Sequence, residues 1–141
     1  MGEDALERME RIVNLCLELG INTFDHADIY GNYQCEELFG KVISQKTFKR
    51  ENIVLFTKCG LKVPHEGNPG VRIKHYDTSG EHIQKSVENS LRKLNTDYID
   101  IFLLDHLDPS GLLGHVAVSA VRRRGSDRLT GCPDHVEAST V

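Results

Sequence analysis

The segment NIVLFTK, residues 52–58, decides how this chain is expected to fold. Four apolar residues follow one another in it, without the polar alternation of a strand that has one face in water. Such a run is typical of a strand in a parallel sheet that is covered on both faces. Two further runs, at residues 21–27 and 98–104, are short and rich in β-forming residues, so we predict three buried strands.

Helical patterns precede each of these strands. Apolar residues recur with helical spacing between residues 3 and 19, and Gly20 supplies a stop. A second helix is predicted to begin near Gln34. A third is predicted at Thr78, because Thr78 and Glu81 have the spacing of a capping box. Helix and strand thus alternate three times, which predicts an α/β protein with parallel strands and crossover helices.

The pattern changes after Pro109. One short helix is predicted from five apolar residues, Leu113, Val116, Ala117, Ala120 and Val121. From Gly125 onward the composition predicts irregular or disordered chain. We therefore expect two regions, an α/β unit over residues 1–109 and a tail over residues 110–141 that does not repeat the pattern.

Composition narrows the class of protein. The 141 residues include 39% hydrophobic and 27% charged residues and carry a formal charge of -4, so no basic field is expected to attract nucleic acid. The N-terminus is acidic, and no apolar run approaches the roughly 20 residues of a membrane span. The four cysteines form no close pair, which favours a reducing compartment. We expect a cytoplasmic protein with no membrane partner.

Polar residues of types that are common in active sites follow the predicted strands. The first strand ends in Asp25 and leads to Tyr30, the second ends in Lys58, and the third ends in Asp105 and His106. The carboxyl ends of parallel strands meet at one edge of a sheet, where ligands usually bind. These side chains are therefore expected to form one site.

An acid, a phenol and an amine together suit proton donation. A free tyrosine has a pKa near 10 and holds its proton at neutral pH. A neighbouring ammonium stabilises the phenolate and lowers that pKa, and a carboxylate keeps the ammonium from standing as an unpaired charge. The result is a phenol that can protonate an oxygen as that oxygen gains negative charge. A carbonyl oxygen gains such a charge when a hydride adds to the carbonyl carbon.

Three signatures in the right order carry a family resemblance. FDHADIYG at residues 24–31, LFTKCG at residues 55–60 and SVENSLRKLNTDYIDIFLL at residues 86–104 resemble the aldo-keto reductase family, in particular its bacterial-type oxidoreductases. The resemblance covers about residues 3–109. It implies part of a (β/α)8 TIM barrel, with about three parallel strands and three helices followed by an irregular or helical tail.

The resemblance also implies a function. Members of the family use NADPH to reduce a small-molecule carbonyl, an aldehyde or a ketone. Tyr30 would be the general acid, Lys58 the residue that lowers its pKa, and Asp25 the carboxylate that pairs with Lys58. The family expects a histidine to orient the carbonyl where this chain has Asp105. His106 follows one position later, and a strand bulge would be needed to bring it to the same face. Both residues remain candidates for substrate binding.

The length of the chain leaves a second interpretation open. A complete barrel needs about 250 residues. Three strands leave sheet edges open, and a protein partner or a second copy of the chain would bind there. The alternative function is therefore a truncated, non-catalytic form that acts as a binding or regulatory fragment.

A metal site is the least favoured interpretation of the acidic and imidazole groups. His26 and Asp28 form an H-x-D pair, and the sequence pattern D-H-x-D occurs at residues 25–28 and again at residues 105–108. Successive side chains of a strand point to opposite faces, so these groups are not expected to reach one ion. We therefore predict no metal.

Overall fold

The computed structural model describes residues 4–107, 113–124 and 128–130, with side chains for residues 4–105. Helices and one helical turn in this part of the chain are α1 (Ala5–Glu18), α2 (Tyr30–Tyr33), α3 (Cys35–Ser44) and α4 (Gly80–Lys93). A 3-10 turn covers Arg50–Asn52. The strands are β1 (Thr23–Asp25), β2 (Val54–Cys59), β3 (Leu61–Lys62), β4 (His75–Tyr76), β5 (Tyr98–Leu107), β6 (Leu113–Arg124) and β7 (Arg128–Thr130).

The main sheet confirms the predicted parallel arrangement. Its strand order is β1-β2-β5-β6-β7, and the pairs β1–β2 and β2–β5 are parallel. Phe56 is the partner of Asp25 on one side and of Ile101 on the other. Helices α1, α3 and α4 precede β1, β2 and β5 in turn, so the chain forms three repeats of helix and parallel strand. This is the partial barrel that the sequence predicted.

The core lies between this sheet and the helices. Its buried apolar side chains include Val13, Phe39, Val42, Leu55, Val87, Leu91, Leu94, Ile99 and Phe102. Each fully buried side chain of this size contributes about 1.5–3 kcal/mol relative to exposure. The helical spacing of α4 places Ile83, Val87 and Leu91 on the face that packs on the sheet, as the apolar stripe indicates.

The start of α4 differs by one residue from the prediction. Ser79, and not Thr78, is the N-cap, and its hydroxyl accepts a hydrogen bond of 3.3 Å from the backbone nitrogen of His82. Asp77 in turn accepts hydrogen bonds from the nitrogen and the hydroxyl of Ser79. A capping box requires the acid three residues after the cap. The residue three positions after Ser79 is His82, so the reciprocal half of the box is missing.

The helix predicted within residues 113–121 is wrong. These residues belong to β6, which pairs with β5 in antiparallel register from Tyr98↔Arg122 to Leu107↔Leu113. Val116, Val118 and Val121 favour extended chain, and the free edge of β5 supplies backbone donors and acceptors for a neighbouring strand. The irregular chain predicted from Gly125 contains the short strand β7, and residues 131–141 lie outside the described part.

Within the described residues, no helix is both long enough and apolar enough to cross a bilayer.

Candidate active site

Lys58 and Asp25 form a bidentate ion pair at the carboxyl end of the sheet. The Nζ atom of Lys58 donates to Oδ1 of Asp25 at 2.8 Å and to Oδ2 at 2.7 Å. It also donates to the carbonyl oxygen of His26 at 3.0 Å. The pairing of β1 with β2 explains the meeting, since Phe56 is the partner of Asp25 and Lys58 lies two residues further on the same face.

Tyr30 lies against this ion pair. The Lys58 ammonium is 4.9 Å from the centre of the Tyr30 ring, within the range of a cation–π contact. Desolvation alone would lower the pKa of Lys58, but the neighbouring Asp25 and Tyr30 outweigh it and raise that pKa. The ammonium is therefore held in its charged form beside the phenol. Tyr30 itself is 40% exposed and open to a small molecule.

Backbone hydrogen bonds fix the loop that carries Tyr30. The nitrogen of His26 donates to the carbonyl of Phe56 at 2.9 Å, and the nitrogen of Asp28 donates to the carbonyl of Lys58 at 3.0 Å. The loop thus continues the β1–β2 ladder beyond the last residue of β1. The nitrogen of Tyr30 then closes a turn on the carbonyl of Ala27 at 3.1 Å. Tyr30 is positioned relative to Lys58 by the same two strands that form the ion pair.

His26 contributes its backbone to the site and its ring to the core. Burial lowers the pKa of His26 to about 4, so the imidazole is neutral at physiological pH. The ring packs on Phe39 with 4.5 Å between ring centres. The carbonyl that binds Lys58 was not predicted from the sequence. A backbone oxygen belongs to every residue type and leaves no pattern to find.

Asp28 and Cys59 are buried groups behind the site. Burial raises the pKa of Asp28 to about 7, and the nearby Glu36 carboxylate adds to this effect. Ser86 donates a long hydrogen bond of 3.4 Å to Asp28. Burial also raises the pKa of the Cys59 thiol, which is 2% exposed. Asp28 and His26 thus have partners of their own, Ser86 and Phe39.

Position 105 lies on the same side of the sheet as Lys58. Leu103 is the partner of Lys58 in the β2–β5 pair, and Asp105 lies two residues after Leu103. Residues two positions apart in a strand lie on the same face of the sheet. The pairing of β5 with β6 runs without a bulge from Ile101 to Leu107, so no shift brings position 106 to that side. For His106 the structure describes only the backbone.

A cavity of about 630 Å³ lies beside the loop, between α4 and the chain that follows β2. Three lysines line it, Lys62, Lys85 and Lys93. Lys62 is paired with Asp77, and Lys93 donates to the carbonyl of Tyr33 at 2.9 Å. A dinucleotide diphosphate needs several cations or amides aimed at one point. These lysines do not provide that arrangement, and we assign no cofactor contact to the residues described.

Comparison with known proteins agrees with the geometry. The sequence model of the aldo/keto reductase family matches residues 3–118. An uncharacterised oxidoreductase of Bacillus subtilis, YcsN, is 50% identical over 98 residues, which are 70% of this chain and 33% of that protein. A 6-dehydroglucose reductase of Agrobacterium fabrum is 42% identical over 112 residues, 77% of this chain and 38% of that protein.

Solved structures give the same result. The aldo-keto reductase AKR11C1 of Bacillus halodurans, in its holo form, superposes with a TM-score of 0.59 and 37% identity, over 73% of this chain and 32% of that one. The chain spans about a third of the length of the proteins that it matches. With three parallel strands in barrel order and the family match over most of its length, the chain belongs to the aldo/keto reductase family.

Proposed function

We propose that this chain carries the proton-donating part of a carbonyl reductase site, with Tyr30 as the proton donor. The observation that carries the proposal is the contact between three groups. Lys58 is bound by both oxygens of Asp25 and lies 4.9 Å from the ring of Tyr30. A fixed positive charge beside a phenol favours the phenolate that remains after proton transfer. Lys58 and Asp25 are then the residues that make the transfer easier.

The charges balance through the reaction. As the carbonyl oxygen gains negative charge, the Tyr30 hydroxyl gives it a proton and becomes a phenolate next to the Lys58 ammonium. The ammonium keeps its own proton, because Asp25 and Tyr30 raise the pKa of Lys58. Asp25 holds the ammonium in place through both of its oxygens. We assign orientation of the carbonyl to Asp105 in its protonated form, because only the protonated acid has a hydrogen to donate to a carbonyl oxygen, with His106 as the alternative.

NADPH would supply the hydride, as the resemblance to the family implies. We assign roles in proton transfer to the described residues and assign none of them to cofactor binding. A fluorescence titration of the full chain with NADPH tests this part of the proposal. A saturable change in the fluorescence of NADPH is expected, and a folded chain that produces none would refute cofactor binding.

The substrate is proposed to be a small aldehyde or ketone. The Agrobacterium relative is named a 6-dehydroglucose reductase, so oxidised sugars are a reasonable first panel beside simple aldehydes.

The cysteines at positions 16, 35 and 59 are free thiols, which supports the expectation of a reducing, cytoplasmic environment.

Replacement of Tyr30 with Phe tests the proton donor. We expect a loss of about 100-fold or more in kcat/KM for carbonyl reduction, because the variant lacks only the transferable proton. Tyr98→Phe is the matched control, since it removes one hydroxyl at the first residue of β5, the end of that strand away from Asp105. Equal rates for Tyr30→Phe and the unchanged chain would refute the assignment.

A non-catalytic role is the second candidate. It is favoured by the edge of β5, where the family barrel would continue with a parallel strand and this chain has the antiparallel strand β6. In this case the chain would act as a binding or regulatory fragment for a protein partner or a second copy of itself. A folded chain that neither binds NADPH nor reduces any carbonyl of the panel would support this candidate over the reductase.

A further inference from the structure

We propose that Tyr33 and Lys93 are positioning residues that hold Tyr30 in place through the turn that follows it; this inference rests on the proposed role of Tyr30. Neither residue touches the Lys58–Asp25 pair in any contact described above. Both act on the backbone directly after Tyr30. Three features of the molecule carry the inference: the conformation of that turn, its attachments and the exposure of Tyr30.

The turn after Tyr30 has an unusual backbone. Gly31, Asn32 and Tyr33 all have positive φ, at 56°, 58° and 67°. Residues with a side chain rarely adopt this left-handed region, and three in succession persist only where the surroundings impose them. A Cβ atom at Gly31 would also collide with the sulfur of Cys35, so any larger residue there would force the Cys35 side chain to move. The turn therefore needs contacts from outside itself.

Tyr33 fastens the turn to the chain beyond β2. Its hydroxyl donates to the carbonyl of Val63 at 3.2 Å and is within 3.1 Å of the Val63 nitrogen, which donates to it. Its ring lies 5.0 Å from the ring of His65. Two hydrogen bonds and one ring contact thus connect residue 33 to a segment 30 positions later.

Lys93 fastens the same residue to α4. Its ammonium donates to the carbonyl of Tyr33 at 2.9 Å and lies 5.8 Å from the centre of the Tyr33 ring. The backbone of Lys93 is itself fixed, because Gly40 of α3 lies so close that any Cβ there would collide with the Lys93 carbonyl. The turn is therefore attached both to α4 and to the chain beyond β2.

Tyr30 depends on this attachment because its own side chain is 40% exposed. A partly exposed ring has few packing contacts to fix it, so its position follows the backbone on either side. The ladder to β2 fixes the preceding side. The turn held by Tyr33 and Lys93 fixes the following side, and with it the approach of the ring to Lys58.

The primary test is Tyr33→Phe, which removes one oxygen atom and keeps the ring. The chain has four tyrosines, so protein labelled with ¹³C at the tyrosine ζ position gives four NMR signals. Tyr30→Phe identifies the signal of Tyr30, and Lys58→Met shows how that signal moves when the ammonium is removed. We expect Tyr33→Phe to move the Tyr30 signal in the same direction.

Lys93→Met is the second variant, with Lys93→Arg as the conservative replacement. We expect Lys93→Met to move the Tyr30 signal and Lys93→Arg to restore it, since arginine still donates to the Tyr33 carbonyl. Lys85→Met, on the same helix and exposed, is the control and should leave the signal unchanged. Lys93 also acts on Asp28 electrostatically, so Lys93→Met can change more than the turn. If Tyr33→Phe and Lys93→Met give different results, the result for Tyr33→Phe decides.

Carbonyl reduction supplies a separate measurement. In a chain that turns over, Tyr33→Phe is expected to lower kcat about 10- to 100-fold while KM stays nearly constant, as for a misplaced proton donor. A chain without turnover contradicts the proposed function, yet the NMR comparison still decides the positioning. A Tyr30 signal that stays in place in both Tyr33→Phe and Lys93→Met would overturn the inference.

Discussion

The two ends of the parallel sheet each hold a cation paired with an aspartate, and the two pairs have different surroundings. At the end where β2 and β5 begin, Arg50 pairs with Asp100 at 2.7 Å, and the two side chains are 12% and 28% exposed. At the end where β1 and β2 finish, Lys58 pairs with Asp25, and the exposures are 11% and 53%. The cations are equally buried, but only Asp25 is half in water.

The donors of the two cations are used differently. Arg50 donates to Thr96, to the carbonyls of Ile53 and Tyr98 and to Asp100, and its guanidinium lies 4.0 Å from the Tyr98 ring centre. Lys58 donates to one carboxylate and one carbonyl and faces a phenol that is open to solvent. The arginine pair therefore joins elements of the fold, while the lysine pair places a charge beside a partly exposed phenol, the proposed proton donor.

The largest effect is expected when the arginine pair is broken. Arg50→Met should lower the free energy of unfolding by about 3 kcal/mol, because Asp100 and two carbonyls lose a charged partner. Asp100 also accepts from the nitrogen of Leu55 at 2.8 Å, so a disturbed carboxylate affects β2 as well. Urea unfolding measures the change. A loss no greater than that of a surface lysine variant would contradict the structural role.

The second effect concerns the end of β2. Gly60 has a φ of 112°, and a Cβ atom there would collide with the carbonyl oxygen of Asp105. Gly60→Ala should therefore lower the free energy of unfolding by about 2 kcal/mol. It should also change the backbone signals of residues 105 and 106 in an amide NMR spectrum. Gly70→Ala is the control, since its Cβ would meet open space.

A third effect concerns pH and arises from His26 and Asp28, two buried groups near the Lys58 pair. The pKa of His26 is about 4 in the folded chain and 6.5 in an unstructured peptide, so the unfolded chain binds more protons between these values and stability rises with pH. The pKa of Asp28 is about 7 in the folded chain and 3.8 in an unstructured peptide, so the folded chain binds more protons and stability falls as pH rises through that range. The two slopes oppose each other.

Substitutions separate these slopes. Asp28→Asn should give a chain whose stability rises from pH 4 to 6.5, and His26→Gln should give one whose stability falls from pH 4 to 7. The difference between the variants should be about 1.4 kcal/mol or more across the range, the equivalent of one pKa unit, as measured by urea unfolding at several pH values. Parallel pH profiles for the two variants would show that neither group is coupled to folding.

The smallest effect on folding is expected at Lys58 itself. Lys58→Met should change the free energy of unfolding by no more than about 1 kcal/mol, because Asp25 is half exposed and water replaces its partner. Carbonyl reduction should nevertheless be lost. Lys41→Met, which breaks an exposed pair with Glu37, sets the scale for a surface charge at about 0.5 kcal/mol or less. A loss at Lys58 as large as that at Arg50 would remove the distinction between the two pairs.

The sequence predicted the parts of the molecule that depend on local pattern. The apolar run around Leu55 predicted a strand with both faces covered, and the polar residues after each strand predicted that Asp25, Tyr30 and Lys58 would meet. Periodicity and chain order are enough for these conclusions, because parallel strands bring their carboxyl ends together.

Other parts depend on contacts that no local pattern records. The five apolar residues within 113–121 suit either a helix or a strand, and pairing with β5 decided the outcome. Lys93 and the Tyr33 carbonyl lie 60 positions apart, and one partner is a backbone atom. Arg50 likewise finds Asp100 and two carbonyls through the fold. Such partners are defined only when the helices and the sheet are assembled.

The buried thiol of Cys59 follows Lys58 at the end of β2, and its raised pKa keeps it protonated and unreactive toward alkylating reagents in the folded chain. Cys16 and Cys35 are partly exposed and should react first. The slow modification of Cys59 then reports the opening of the strand that carries the lysine. Timed alkylation followed by peptide mass analysis would measure how often this part of the sheet opens, without a spectroscopic label or a substrate.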